Sequence, residues 1–133
     1  MYKAIICDIK NSRILTNREE VQFLLINALE KCNENFSEFI VSPFRITAGD
    51  EWEGLLSINA PIDKILNSFK DNLPNDITFY VGIGEGKLSI NNLKLPVNFL
   101  DGEVFVHARE SLKHAKSNNI TIDSNDFSYS SST

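Results

Sequence analysis

Apolar and polar positions change period several times along the chain, and each change marks an element. Residues 2–9, YKAIICDI, are almost continuously apolar, the pattern of a strand covered on both faces. The run ends at Asp8 and gives way to the polar stretch KNSR. From Asn17 the period becomes helical, with Val21, Leu24, Leu25, Ala28, Leu29, Cys32 and Phe36 on one face. Alternation then runs through Phe44, Ile46 and Ala48, breaks at Gly49-Asp50, and resumes in Trp52, Leu56 and Ile58. A two-residue break of this kind predicts a hairpin with a primed turn, glycine supplying the positive φ.

Asn59-Ala60-Pro61 opens a second helix, proline being tolerated in the first turn, with Ile62, Ile65, Leu66, Phe69 and Leu73 as its apolar stripe. Residues 78–90, TFYVGIGEGKLSI, read as a strand that turns glycine-rich, and 91–100 as an irregular connection. Val104, Phe105, Ala108, Leu112 and Ala115 predict a third helix over 102–117, and ITI at 120–122 a short strand. Residues 1–123 are expected to form one domain, with a coreless, disordered tail over 124–133.

The predicted order is β-α-β-β-α-β, then α and a short β. A right-handed β-α-β crossover leaves a gap that the third strand, hairpinned to the second, fills beside the first. The fold class expected is α+β: a ferredoxin-like antiparallel sheet with helices on one face, extended by a C-terminal helix and strand. In that topology the end of the first strand, carrying Asp8, meets the start of the third, carrying Asp50 and Glu51.

Composition narrows the function classes. The chain of 133 residues carries a formal charge of −5, which weighs against a broad nucleic-acid surface but leaves room for a small phosphate pocket. No apolar run approaches the roughly 20 residues of a membrane helix, and the N-terminus lacks a secretory pattern, so a cytoplasmic protein is expected. Cys7 and Cys32 lie in apolar runs without metal spacing and read as buried free thiols.

Acids brought together at one sheet edge repel, and a divalent cation removes that cost. Mg²⁺ or Mn²⁺ prefers hard oxygen ligands and often takes one or two protein carboxylates plus substrate phosphates. Asp8 and Asp50 suit that role, with Glu51 as a third ligand, while Lys10, Asn11, Ser12 and Arg13 offer donors and charge for phosphates. Each aspartate also suits its place locally, one at a loop start and one in a turn. GIGEGKLS is one residue short of a phosphate-binding P-loop and carries Leu88 where a hydroxyl belongs, so its glycines point instead to close backbone approach by a ligand or neighbouring element. His107 and His114 lack zinc spacing, and Trp52 reads as a core residue rather than the border of a base.

The hairpin AGDEWEGLL resembles the Gly-Gly-Asp-Glu-Phe hairpin of GGDEF diguanylate cyclases, and CDIKNSR resembles the metal loop ending the first strand of those domains and of class III nucleotidyl cyclases. The ordered set CDIKNSR, TAGDEWEGLL, VGIGEG and DGEVFVHAR is similar to the SatD family from residue 3 to about 116. The resemblance implies a nucleotidyl-cyclase/GGDEF-type domain related to polymerase palms. It implies metal ligation by Asp8, Asp50, the Ile9 carbonyl and Glu51, with Gly49 in the nucleotide-handling turn. Lys116 would contact phosphate and Arg109 would stabilise charge on the transferring phosphoryl group. Ala48 replaces the first glycine of the hairpin, and Phe105 stands where cyclases place asparagine.

Two functions follow from that resemblance. In the first, the protein uses Mg²⁺ or Mn²⁺ to bind ATP or GTP and converts it to a cyclic nucleotide or oligonucleotide signal with release of pyrophosphate. A dinucleotide product would require a homodimer if each subunit holds one nucleotide. In the second, a non-catalytic SatD-like regulatory domain senses a nucleotide or a protein partner.

Overall fold

A computed structural model describes residues 1–11, 17–89 and 93–124 of the chain. The predicted sites Ser12 and Arg13, and the expected tail beyond Ser124, lie outside the described residues. The elements follow in the order β1 (Tyr2–Ile9), α1 (Arg18–Asn35), β2 (Ile40–Ala48), β3 (Glu51–Ser57), α2 (Ile62–Asp71), β4 (Phe79–Gly86), α3 (Glu103–Asn118) and β5 (Ile122–Ser124). A 3₁₀ turn, Val97–Phe99, lies in the connection before α3.

The sheet order is β2-β3-β1-β4-β5. β1 is central and antiparallel to both β3 and β4, as the crossover rule requires, while β5 adds in parallel to β4. Because strand side chains alternate, the residues of β1 divide between two cores. Ile5, Cys7 and Ile9 face α1 and α2, together with Trp52, Phe69 and Phe79. Ala4 and Ile6 face the other way, against Val104, Ala108 and Leu112 of α3. Thus α1 and α2 cover one face of the sheet and α3 covers the opposite one.

The first core is built around aromatic rings. Trp52 meets Phe69 at 5.8 Å and Phe79 at 5.2 Å between ring centroids, and Phe44 meets Phe69 at 5.1 Å, all edge-to-face. Such pairs add about 1 kcal/mol each beyond their buried area. The second core explains the glycine-rich strand. A Cβ on Gly82 would lie 2.4 Å from the Ala108 carbonyl oxygen, and one on Gly84 2.2 Å from that of Val104. Alternate glycines let the α3 backbone rest directly on β4, so the close neighbour is a helix. At the β2–β3 turn, Gly49 has φ +57, while Asp50 is not among the positive-φ residues, the pattern of a type II′ hairpin.

Candidate functional site

Register sets the site. Asp8 is the Cα partner of Glu51 on one side and Tyr80 on the other, and Ile6 is the partner of Glu53 and Gly82. Paired residues share a face, so Asp8, Glu51, Glu53 and Tyr80 all lie on the side covered by α3. That helix supplies the cations. Lys116 Nζ donates to Asp8 Oδ2 at 2.6 Å. Arg109 donates from Nη1 to Glu51 Oε1 at 2.5 Å and from Nη2 to Glu51 Oε2 at 3.0 Å, a two-pronged pair, with Glu53 Oε2 4.0 Å from Nη2. The hydrogen bond to Glu51 holds the Arg109 guanidinium above its ordinary pKa, against the opposing effect of burial.

Glu53, one pleat further in, is buried, and burial raises its carboxyl to about 7; Arg109 opposes the shift and Glu51 adds to it. Burial also pushes Cys7 well up and Cys32 up to about 12, so neither thiol is primed for nucleophilic work.

Asp50 takes a different direction. Its carboxylate accepts from Arg18 Nη2 at 3.1 Å and from Gln22 Nε2 at 2.8 Å, both on α1, the helix of the opposite face. Its carbonyl oxygen accepts the Ile9 N–H at 3.2 Å, tying the hairpin tip to the end of β1. Asp8 and Asp50 therefore meet at the same edge through backbone, while their carboxylates engage partners on opposite faces. Gly49 takes part through its carbonyl, which accepts from Gln22 at 3.5 Å. The Ile9 side chain is buried among the α1 and α2 residues, leaving its carbonyl as the one group it could lend to a cation.

Lys10 donates to the Thr121 hydroxyl at 2.9 Å and lies 4.8 Å from the centroid of the Tyr80 ring. Asn11 has φ +55, ending the described part of the loop in a left-handed bend. His107 and His114 form no joint site: Nδ1 of His107 lies 2.9 Å from the Glu85 carbonyl and Nδ1 of His114 3.2 Å from Asp123. Trp52 is wholly buried in the aromatic core, as its alternation predicts.

Among the described residues, no group of three or more His, Cys, Asp or Glu side chains gathers as a metal cage. The donors present fit a sparser site. Asp8 and Glu51 are adjacent hard-oxygen ligands on one face, and Mg²⁺ or Mn²⁺ commonly keeps its remaining positions for water and phosphate. The sequence reading missed Glu53, Arg18, Gln22 and Thr121. Glu53 was signalled by its place two residues from Glu51 on the same strand face; the partners of Asp50 had no comparable local signal.

The βαββαβ order and sheet order define a ferredoxin-like α+β domain in which one edge of the central strand is lined by paired acids and bases. Its family is also clear: the SatD family's sequence model matches residues 2–129, and the chain belongs to that family. No curated protein matches it. Among solved structures it is similar to the monomeric guanylyl cyclase domain of a RhoGC fusion protein from the aquatic fungus Blastocladiella emersonii, at 18% identity over 87% of this chain and 85% of that one, with a TM-score of 0.49. A dimeric guanylyl cyclase domain of the same fusion protein is similar at 16% identity over 87% and 83% of the two chains, with a TM-score of 0.46.

Proposed function

We propose that this domain binds a nucleoside triphosphate together with a divalent cation at the Asp8–Glu51 edge. The observation that carries the reading is the pairing of Asp8 with Lys116 and Glu51 with Arg109, side by side on one face. Two carboxylates and two cations there balance each other in the free protein. A metal–triphosphate complex can replace both internal pairs without stranding a charge: the carboxylates go to the cation and the ammonium and guanidinium to phosphate oxygens. All four groups are partly open to solvent, the Lys116 side chain about half exposed at 48%, so this exchange needs no unfolding.

When bound, Mg²⁺ or Mn²⁺ would rest on Asp8 and Glu51, with the Ile9 carbonyl in reach of the same strand end, and would offset phosphate charge. Lys116, Arg109 and Lys10 orient the phosphates. Asp50 has a positioning role in this reading: through Arg18 and Gln22 it fixes the hairpin that presents Glu51. Turnover would follow if a ribose 3′-oxygen bonds to an α-phosphorus and the bond from that phosphorus to the bridging oxygen breaks. Pyrophosphate then leaves, and the hydroxyl proton passes to solvent.

A non-catalytic, nucleotide-sensing domain is the second reading, and the placement of Asp50 favours it, because a second aspartate is not free at the metal edge. Incubation of the purified protein with each nucleoside triphosphate and Mg²⁺ or Mn²⁺, with products separated by chromatography, distinguishes the two. Pyrophosphate release lost in Asp8→Ala and Glu51→Ala supports the enzyme. Metal-dependent binding without product supports the sensor, and no binding of any nucleotide refutes both.

A further inference from the structure

Beside the acidic edge, on the β4 and β5 side, lies a cleft of about 350 Å³. Its apolar lining is Pro74, Ile77 and Phe79, and its polar lining is Lys10, Lys70, Asn75, Thr78 and Thr121. Lys10 joins the cleft to the site already described. It follows Asp8 by two residues, its amide donates to the Thr78 carbonyl at 2.8 Å, and its ammonium lies over Tyr80, the cross-strand partner of Asp8.

The mixture of surfaces identifies the kind of occupant. A bare phosphate would gain nothing from walls of proline, isoleucine and phenylalanine, and a purely apolar ligand would leave the Lys70 ammonium, the Asn75 amide and the Thr78 hydroxyl unmatched beside the Lys10–Thr121 pair. A nucleoside meets both demands, with flat apolar faces on the base and hydrogen-bonding groups on the base edge and the ribose. The volume falls within the range of small-ligand pockets, roughly 300 to 1,000 Å³. Resting on the proposed binding of a metal–triphosphate at Asp8 and Glu51, we infer that this cleft receives the base and ribose of the same nucleotide, with Lys10 bridging between nucleoside and phosphates.

The test compares a nucleoside triphosphate with inorganic triphosphate, which has the phosphates but nothing to fill the cleft. Calorimetric titration with Mn²⁺ present gives the affinity of each for the intact protein and for Thr78→Trp and Asn75→Trp. Both positions line the cleft and are exposed, so the added rings occupy it without disturbing the core. Thermal melts confirm that each variant is folded, and either one suffices. Nucleoside triphosphate should bind the intact protein at least tenfold more tightly than inorganic triphosphate. The tryptophan variants should lose that preference and keep the inorganic affinity. Equal affinities in the intact protein, or a preference unchanged in a folded variant, would overturn the cleft assignment while leaving the metal–phosphate reading intact. Inorganic triphosphate that fails to bind, or binds equally well after Asp8→Ala, overturns the metal–phosphate reading and the cleft assignment with it.

Discussion

Glu53 offers a sharp test of how α3 meets the sheet, because it is a carboxylate buried in that interface. Burial raises its pKa from 4.5 to about 7, with Arg109 pulling the other way and Glu51 reinforcing the rise. In the unfolded chain the group titrates near its ordinary value. Between about pH 4.5 and 7 the folded protein therefore holds a proton that the unfolded chain has released. With more protons bound to the folded state, stability falls as pH rises through this window and levels off above it. A shift from 4.5 to about 7 corresponds to at most about 3 kcal/mol at alkaline pH. Glu53→Gln keeps the shape and the hydrogen-bonding capacity but removes the charge, and so removes the penalty. Urea unfolding of both proteins at pH 5 and pH 8 isolates the effect, since the difference between them cancels every other titrating group. The variant should gain about 2 kcal/mol on the parent between the two pH values, or several degrees in melting temperature. A difference that is the same at both pH values, or one that moves in the parent's favour as pH rises, would refute the buried-carboxylate reasoning.

Other consequences are as direct. Gly84→Ala places a Cβ 2.2 Å from the Val104 carbonyl oxygen and should cost about 2 kcal/mol or more in urea unfolding as α3 is pushed off β4; a value within about 0.5 kcal/mol of the parent contradicts the packing. Arg18→Ala removes an ion pair whose arginine side chain is 53% exposed, and should change stability by less than about 1 kcal/mol. Cys7 and Cys32 should resist a thiol reagent in the native protein at pH 8 and react fully in denaturant; rapid native labelling of both would contradict their burial.

The hydrophobic periods and the crossover rule were enough to place β3 beside β1 and to bring the hairpin acids to the end of β1. Four ordered motifs also pointed to the SatD family, which the match over residues 2–129 establishes. What the pattern could not carry was the direction of side chains at the turn. Asp50 lies outside the strict alternation of a strand, so its direction depends on Arg18 and Gln22, one helical turn apart on α1. Glu51 sits inside β3, and alternation alone puts it with Asp8. The covering of the second face by α3 was written into Gly82, Gly84 and Gly86, whose spacing of two marks a sheet face pressed by backbone. The parallel addition of β5 had no local signature, because three residues carry too little pattern to choose a neighbour.

The central claim is that Asp8 and Glu51 together hold a metal–nucleotide complex. Equilibrium dialysis of labelled nucleoside triphosphate against the protein, with Mn²⁺ or with a chelator, addresses it most directly. Retention should require Mn²⁺ and fall at least tenfold in both Asp8→Ala and Glu51→Ala, with a smaller loss in Asp50→Ala. Retention that survives chelation, or that Asp50→Ala abolishes while Glu51→Ala spares it, would contradict the account.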